Sequence, residues 1–290
     1  MGILKDQIKF NTKIGNIYIF GKLSFLKHFK SEVCRYTKKI YLNKNVSFND
    51  NDIIFSINNS KIFDKKKLKK GIFINYHDSY LPAFKGLNSS TWSILSKKKT
   101  HGCTFHIMDE SIDTGPIIYQ KKITIPTNYN SHQVDLKNIF NGFELFKKIL
   151  RDLFIKKVIN FKYQKKTGKY FSKKDLLKIP LLGFIDLKWN KEKIIRHFNA
   201  LKVSNFKKNF ILNPKLLTKN YQILEIVNIT VIKDNKSKNM TKLHKIKKKK
   251  FFLKKSKNLL EIEINKDLNK LEILGSKEIE NYLKKKNINL

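Results

Sequence analysis

The chain has 290 residues, of which 41% are hydrophobic and 12% aromatic. This length and apolar content suffice for one large domain and a smaller one, and they exclude an intrinsically disordered protein. The formal net charge of +39 would attract nucleic acid or an anionic membrane. Only three of the 62 basic residues are arginines, however, so we interpret the charge as a coding bias toward lysine.

Short apolar runs alternate with helical patterns through the first half of the chain. They predict strands at residues 16–20, 39–42, 52–57, 71–76, 102–108 and 117–125. Helical spacing of apolar residues predicts helices at residues 24–36, 89–96 and 131–157. Strand–helix alternation is typical of α/β proteins, so we expect a Rossmann-like, mainly parallel sheet with helices on both faces. Binding sites in such sheets form beyond the carboxyl ends of the strands.

The second half of the chain follows a different pattern. We expect a first domain over residues 1–160, a connector over residues 161–204 and a small β-rich domain over residues 205–290. Asn190 is a candidate amino-terminal cap of a connector helix at residues 191–201. The last domain is predicted to contain strands at residues 222–231, 251–253, 259–264 and 270–274. Its lysine-rich segment 242–255 reads as a solvated loop between strands, with a nucleic-acid-binding stripe as the alternative.

Cysteine usage and hydropathy bear on the compartment. Cys34 and Cys103 lie far apart and outside any CxxC pair, so we predict neither a disulfide framework nor a cysteine zinc site. Charged residues interrupt the first apolar stretch before it reaches the length of a signal peptide. No run approaches the roughly 18 apolar residues of a membrane span. We expect a cytoplasmic protein that does not associate with membranes.

Polar residues suited to proton transfer cluster between residues 71 and 120. Asn75 and His77 are two residues apart at the end of a predicted strand, so their side chains point to the same side of the sheet. Asp113 lies in a loop between two later strands. An amide, an imidazole and a carboxylate at one sheet edge can polarise a carbonyl and move protons. Singly, Asn75 and Asp113 are also typical of turns. No third ligand has usable spacing for a metal site.

Two motifs in this region resemble those of the folate-dependent formyltransferase family. The first is N-Y-H-D-S-Y-L-P at residues 75–82, followed by Lys85 and Gly86. The second is G-C-T-F-H-I-M-D-E-S-I-D-T-G at residues 102–115. Both motifs and the spacing between them match, and a looser similarity extends over residues 51–157. The resemblance implies that residues 1–160 form a formyltransferase catalytic domain.

The resemblance also implies roles for individual residues. Asn75 would hold the formyl oxygen, His77 would stabilise the tetrahedral oxyanion, and Asp113 would orient His77 and assist proton transfer from the attacking amine. The formyl donor would be 10-formyltetrahydrofolate, with no metal. Residues lining the folate pocket, chiefly through main-chain groups, would be Ser56, Ile57, Asn58, Asn59, His106, Met108, Asp109 and Glu110. His106 alone reads equally well as an inward polar residue on a strand.

The resemblance leaves the amine acceptor open. We expect a primary amine on an amino-sugar nucleotide or a carrier-bound amino acid, because the segment before Asn75 is shorter than in typical members and lacks a basic acceptor-binding insertion. The L-N-S-S-T-W run at residues 87–92 favours the same acceptors, and Trp92 is either a flat surface in the cleft or a buried helix residue. The alternatives are methionyl-tRNA as the acceptor and a non-catalytic relative that binds nucleic acid. The oligomeric state is not predicted.

Overall fold

The computed structural model describes residues 6–10, 13–44, 46–59, 61–202, 213–233, 243–247, 249–255, 258–267 and 272–286. The chain divides into two compact units. Unit 1 consists of Met1–Ser93, Lys98–Pro126 and Val134–Phe171. Unit 2 consists of Ile94–Lys97, Thr127–Gln133 and Ser172–Leu290.

A six-stranded sheet forms the centre of unit 1. The strands of this unit are β1 (Asp6–Lys9), β2 (Ile17–Gly21), β3 (Ile40–Leu42), β4 (Ile53–Ile57), β5 (Ile72–His77), β6 (Lys85–Gly86), β7 (Thr100–Ile107), β8 (Ile117–Thr124), β9 (Val158–Phe161) and β10 (Tyr170–Phe171). The central sheet has the order β3-β2-β4-β5-β7-β8. Its first four strands are parallel, β7 pairs antiparallel with β5, and β8 pairs antiparallel with β7. The predicted mainly parallel α/β sheet is therefore confirmed.

This half of the chain contains four helices, and all but the second were predicted within a few residues of their observed bounds. They are α1 (Leu23–Val33), α2 (Lys65–Leu68), α3 (Ser89–Leu95) and α4 (Ser131–Arg151). The last helix continues through a π-helical turn at Asp152–Lys156 and stops at Lys157, whose φ of 54° is left-handed. A left-handed residue cannot continue a right-handed helix, which fixes this end.

The two faces of the sheet are covered differently. On one face, side chains that alternate along the strands form a core cluster with α1 and α4; its members include Ile17, Ile19, Ile53, Phe55, Ile74, Tyr76, Leu26, Phe29, Phe146 and Ile149. On the other face, Tyr18, Phe20, Ile54 and Phe73 cluster with Phe48 and Phe63, and Leu68 of the one-turn helix α2 packs against them. Central strands buried on both faces need continuous apolar runs, as β2 and β4 have.

Unit 2 contains an antiparallel sheet and two helices. Its elements are α5 (Lys191–Leu201), β11 (Lys215–Leu217), β12 (Ile223–Lys233), β13 (Leu243–Lys247), β14 (Lys250–Lys255), β15 (Asn258–Ile264) and α6 (Ser276–Lys285). Two 3-10 helical segments, Lys174–Lys178 and Pro180–Gly183, precede α5. The strands have the order β11-β12-β15-β14-β13, so the predicted β-rich carboxyl-terminal part is confirmed. Ile194 and Phe198 of α5 pack with strand residues in one core cluster.

Some sequence-based assignments need correction. The predicted strand at residues 270–274 is wrong for the described residues 272–274, where only Ile273 forms an isolated bridge, to Thr218, before α6 begins. Helix α6 was not predicted, nor were β9 and β10, which lie at the edge of and within the predicted connector. The predicted boundary near residue 205 lies outside the described residues, as do residues 242 and 248 of the lysine-rich segment. The interpretation of segment 242–255 as a loop is wrong, because Leu243–Lys247 and Lys250–Lys255 form β13 and β14. The three-part domain division stays a prediction.

Among the residues that the structure describes, none of the helices combines the length and hydropathy that a bilayer crossing requires.

Candidate active site

Three elements bring polar side chains to one edge of the unit 1 sheet. Strand β5 ends with Asn75 and His77, which share a face because they are two residues apart. In the antiparallel ladder to β7, Asn75 lies opposite His106 and His77 lies opposite Thr104. On the other side, Ser56 of β4 pairs with Asn75. A row of polar residues therefore crosses three neighbouring strands.

Asp113 enters this row from the loop between β7 and β8. Its Oδ2 lies 3.4 Å from Nδ1 of His77, and its Oδ1 lies 3.5 Å from Nε2 of His106. The amide nitrogen of Asn75 donates to the Asp113 Oδ1 at 3.3 Å and lies 3.1 Å from Nε2 of His106. The structure thus brings together the three predicted catalytic residues and His106. His77, His106 and Asp113 are only 6%, 2% and 8% exposed.

Hydrogen bonding to main-chain carbonyls determines which histidine nitrogens carry protons. Nδ1 of His106 lies 2.9 Å from the Ile107 carbonyl, and Nε2 of His77 lies 2.9 Å from the Phe84 carbonyl. A carbonyl oxygen only accepts, so each of these nitrogens donates a proton. Nε2 of His106 lies near both the Asn75 amide and the Asp113 carboxylate, and Nδ1 of His77 faces the same carboxylate. A positive charge on His77 would be stabilised by that carboxylate.

The Asp113 carboxyl group is ionised at neutral pH. Burial raises its pKa, but the charges of His77 and His106 and hydrogen bonds from His106 and from the Gly86 N–H together lower the pKa to about 2. With such a low pKa, Asp113 is suited to orienting a neighbouring imidazole and stabilising positive charge on it. It is less suited to accepting a proton itself at neutral pH, because a general base works best with a pKa near the operating pH.

Main-chain groups outside the predicted set complete this arrangement. The Gly86 N–H donates to Oδ2 of Asp113 at 2.8 Å. Gly86 has a φ of +83°, and a Cβ there would lie 2.3 Å from the Phe171 carbonyl, so a side chain does not fit. Gly86 belongs to the first motif, but the motif does not reveal its role as a donor. The carbonyl of Phe84 was also missed, because main-chain acceptors leave no signal in residue type.

The predicted folate-pocket residues fall into two groups. Ser56 and Ile57 end β4 and are buried, next to the Asn75 row, and Asn58 follows with a left-handed φ of 51°. In the other group, the Met108 N–H donates to the Phe73 carbonyl, and the Asp109 carboxylate accepts from Thr114 within its own loop. Two side chains are directed elsewhere: Glu110 pairs with Lys65 at 2.7 Å and Asn59 accepts from the Lys61 N–H. Folate binding by these residues stays a prediction.

Trp92 is a buried residue of α3. It is 8% exposed, and its ring stacks on Phe171 with centroids 4.6 Å apart. Of the two predicted roles, Trp92 therefore has that of a buried helix residue, and it does not present a flat surface to solvent. Among the described residues, no group of three or more His, Cys, Asp or Glu side chains is arranged to hold a metal ion.

Proteins named as formyltransferases are similar to this chain over about half of its length. The chain is 27% identical over 154 residues to GDP-perosamine N-formyltransferase of Brucella melitensis biotype 1, covering 52% of this chain and 57% of the relative. It is 30% identical over 174 residues to methionyl-tRNA formyltransferase of Prochlorococcus marinus subsp. pastoris, covering 53% and 51%. The chain thus spans about half the length of the curated relatives it matches.

A solved structure extends the similarity over most of the chain. It is an N-formyltransferase from Helicobacter canadensis in complex with folinic acid and dTDP-3-aminofucose, with a TM-score of 0.64 and 21% identity. The match covers 86% of this chain and 98% of that one, and at this identity it establishes the fold alone. Residues 50–148, which contain the whole Asn75–His77–His106–Asp113 cluster, match the family described as formyl transferase. Similarity to the formyl transferase family is thus established for this part of the chain.

Proposed function

We propose that this protein transfers the formyl group of 10-formyltetrahydrofolate to the primary amine of an amino-sugar nucleotide. The observation that carries the proposal is the position of the Asp113 carboxylate. Its oxygens lie within 3.5 Å of side-chain nitrogens of Asn75, His77 and His106. The names of the Brucella and Helicobacter relatives support a sugar acceptor. The folinic acid in the latter structure supports a folate donor. A carrier-bound amino acid is the other small acceptor with the same chemistry.

In the proposed reaction, the acceptor nitrogen attacks the formyl carbon and a tetrahedral intermediate forms. Its oxygen carries the negative charge, and the bond to the folate N10 then breaks as N10 takes a proton and tetrahydrofolate leaves. His77 and Asn75 are the donors for the oxyanion. Nε2 of His77 donates to the Phe84 carbonyl in the structure, so His77, like Asn75, exchanges a partner when it binds the oxyanion. His77 takes the proton that the amine loses and passes it to N10, and the ionised Asp113 stabilises the imidazolium that carries it in between.

Asn75 must exchange a partner to take this role. In the structure its amide nitrogen donates to Asp113 and lies within hydrogen-bond distance of His106. A formyl oxygen that binds Asn75 replaces one of them. The longer of the two contacts, the 3.3 Å bond to Asp113, is the one we expect to open.

Methionyl-tRNA is the second candidate acceptor. It is favoured by the similarity to the Prochlorococcus enzyme and by the net charge of +39. Binding through many lysines to transfer RNA releases counterions, so it weakens steeply as salt rises. Transfer to a sugar nucleotide depends much less on salt.

The test is a direct comparison of acceptors. The purified protein is incubated with 10-formyltetrahydrofolate and, separately, with amino-sugar nucleotides, carrier-bound amino acids and charged initiator methionyl-tRNA, at low and high salt. Released tetrahydrofolate and the mass of the formylated product are measured. We expect a 28 Da mass gain on a sugar nucleotide, the difference of CO, at a rate about equal in both salts. Formylation of methionyl-tRNA alone would reassign the acceptor, and release of no tetrahydrofolate with any acceptor would refute formyl transfer.

A further inference from the structure

Gln164 contacts the loop that carries Asp113. It lies three residues after β9, in the segment predicted as a connector. Its amide nitrogen donates to the carbonyl of Asp113 at 3.2 Å and to the carbonyl of Gly115 at 2.7 Å. One side chain thus holds two main-chain acceptors on either side of Thr114.

The chemistry of these contacts fixes the orientation of the amide. Both partners are carbonyl oxygens, which only accept, so the nitrogen of Gln164 must face them. Its Oε1 is buried and receives no hydrogen bond from the residues that the structure describes. Leaving a buried acceptor unsatisfied typically costs about 1–3 kcal/mol. Turning the amide over would satisfy nothing and would place Oε1 against two oxygens.

The held loop has a conformation that needs support. Asp113 has a φ of 56°, in the left-handed region where residues other than glycine are uncommon. At Gly115, a Cβ would lie 1.9 Å from the Ile107 carbonyl, so the loop runs tightly against the end of β7. The direction of the Asp113 carbonyl depends on the backbone rotation of that residue. Holding the carbonyl therefore holds the direction of the carboxylate as well.

The same segment supports the other side of the cluster. The carbonyl of Lys169, just before β10, accepts from the Lys85 N–H at 3.0 Å, and the carbonyl of Phe171 in β10 accepts from the Leu87 N–H at 2.8 Å. These bonds flank Gly86, whose N–H binds Asp113. The Phe171 ring also stacks on Phe84, the residue whose carbonyl accepts from His77. Residues 164–171 thus support partners of both His77 and Asp113.

We propose that Gln164 is a positioning residue that fixes the Asp113 carboxylate against His77 and His106 through the carbonyls of residues 113 and 115. The expected effect of Gln164 on turnover rests on the proposed function, whereas its expected effect on the position of Asp113 does not. Gln164 lies outside residues 50–148, the part of the chain that matches the formyl transferase family. Displacing a catalytic group by about 1 Å costs up to about a hundredfold in rate.

The test compares Gln164→Glu, Gln164→Leu and Gln164→Asn with the wild-type protein. Glutamate keeps the shape but replaces the donors with acceptors, leucine removes both, and asparagine keeps the donors on a shorter side chain. The control is Gln222→Glu, the same change at an exposed glutamine of unit 2. We expect kcat to fall about tenfold to a hundredfold in the Glu and Leu variants and less in Asn, with KM for both substrates and the melting temperature nearly unchanged.

A second readout does not depend on activity. Hydrogen exchange of the Gly86 amide, followed by NMR, reports whether Asp113 still accepts its hydrogen bond. We expect exchange at least about tenfold faster in Gln164→Glu and unchanged in Gln222→Glu, since an opened hydrogen bond removes protection. Wild-type Gly86 exchange rates and wild-type kcat in both the Glu and Leu variants would overturn the proposal. A wild-type protein with no transferase activity would refute the proposed function, while the Gly86 exchange would still decide the role of Gln164.

Discussion

Replacing Asp113 with asparagine removes one charge from the cluster at nearly constant shape. The two carboxylate oxygens serve four groups: Oδ1 faces Asn75 and His106, and Oδ2 faces Gly86 and His77. Asparagine retains one oxygen, which can accept from Gly86 or from Asn75 but not from both. The side-chain nitrogen of the introduced asparagine then faces the other of these two donors. We therefore expect Asp113→Asn to weaken the cluster both by removing the charge and by removing hydrogen bonds.

The stability change follows from the pKa of Asp113. Folding lowers this pKa from 3.8 to about 2. A difference of about two pKa units corresponds to about 2 kcal/mol of stabilisation by the ionised form. Because the folded pKa lies below the unfolded one, the contribution is fully present above about pH 4 and is lost as the pH falls through about 2. Asp113→Asn lacks it at every pH.

The assay is urea unfolding of both proteins at pH 7 and at steps down to pH 3, with turnover measured at pH 7. We expect the wild type to be more stable by about 2 kcal/mol at pH 7, with the difference shrinking toward acid pH. Turnover of the variant should fall by a factor of about 100 to 1,000, as for loss of a group that acts in the transition state. Asp50→Asn, at an exposed residue paired with Lys70, is the matched control. An equal stability difference at pH 7 and pH 3, or turnover within twofold of wild type, would refute this reasoning.

Three further changes test other parts of the structure. His77→Ala should lower turnover about a hundredfold or more while leaving folate affinity, measured by calorimetry with folinic acid, within a few-fold of wild type, because an oxyanion donor acts mainly in the transition state. His197 is buried with a pKa lowered to about 3, through burial and the charges of Lys193 and Arg196. Since the unfolded chain takes up this proton near pH 6.5, stability should decrease from pH 6.5 to 5, and His197→Phe should show a smaller decrease in denaturant unfolding; identical pH profiles would contradict this. Asn190 caps α5 by accepting from the Lys193 N–H at 2.8 Å, so Asn190→Ala should lower the free energy of unfolding by about 1 kcal/mol without changing turnover, whereas Asn190→Ser should restore most of it.

The parts of the fold that the sequence predicts well are those determined by local patterns. Strands β2 and β4 are continuous apolar runs, and Asn190 was expected to cap α5 from residue type alone. Strand β9 could not be predicted in this way, because it depends on pairing with β1, about 150 residues earlier. Helix α6 buries only Ile279 and Leu283 on an otherwise charged surface, so its apolar signal is weak. The apolar residues Ile273 and Leu274 favoured a strand, but they pack in the cores of unit 2 as side chains of a loop.

The site was predictable to the extent that side chains define it. Asn75, His77, His106 and Asp113 stand in two motifs whose spacing brings them to one sheet edge. Their supporting groups are the main-chain N–H of Gly86, the carbonyl of Phe84 and the amide of Gln164. Main-chain groups have no residue signature, and Gln164 reaches the loop from about 50 positions away in the chain. Such contacts are visible only in three dimensions.

The register of the β5–β7 ladder links the site to the packing of the core. Along β5, Ile74 and Tyr76 point into one core cluster, while Asn75 and His77 point to the opposite face. A slip of one residue would turn Asn75 and His77 into the core cluster and turn Ile74 and Tyr76 toward the site, because side chains alternate along a strand. Packing of β5 in the hydrophobic core therefore fixes the register that places Asn75 opposite His106. An insertion of a single residue within either strand would abolish the site even where every polar residue is retained, whereas a change of length in the turns before β5 would leave the site intact.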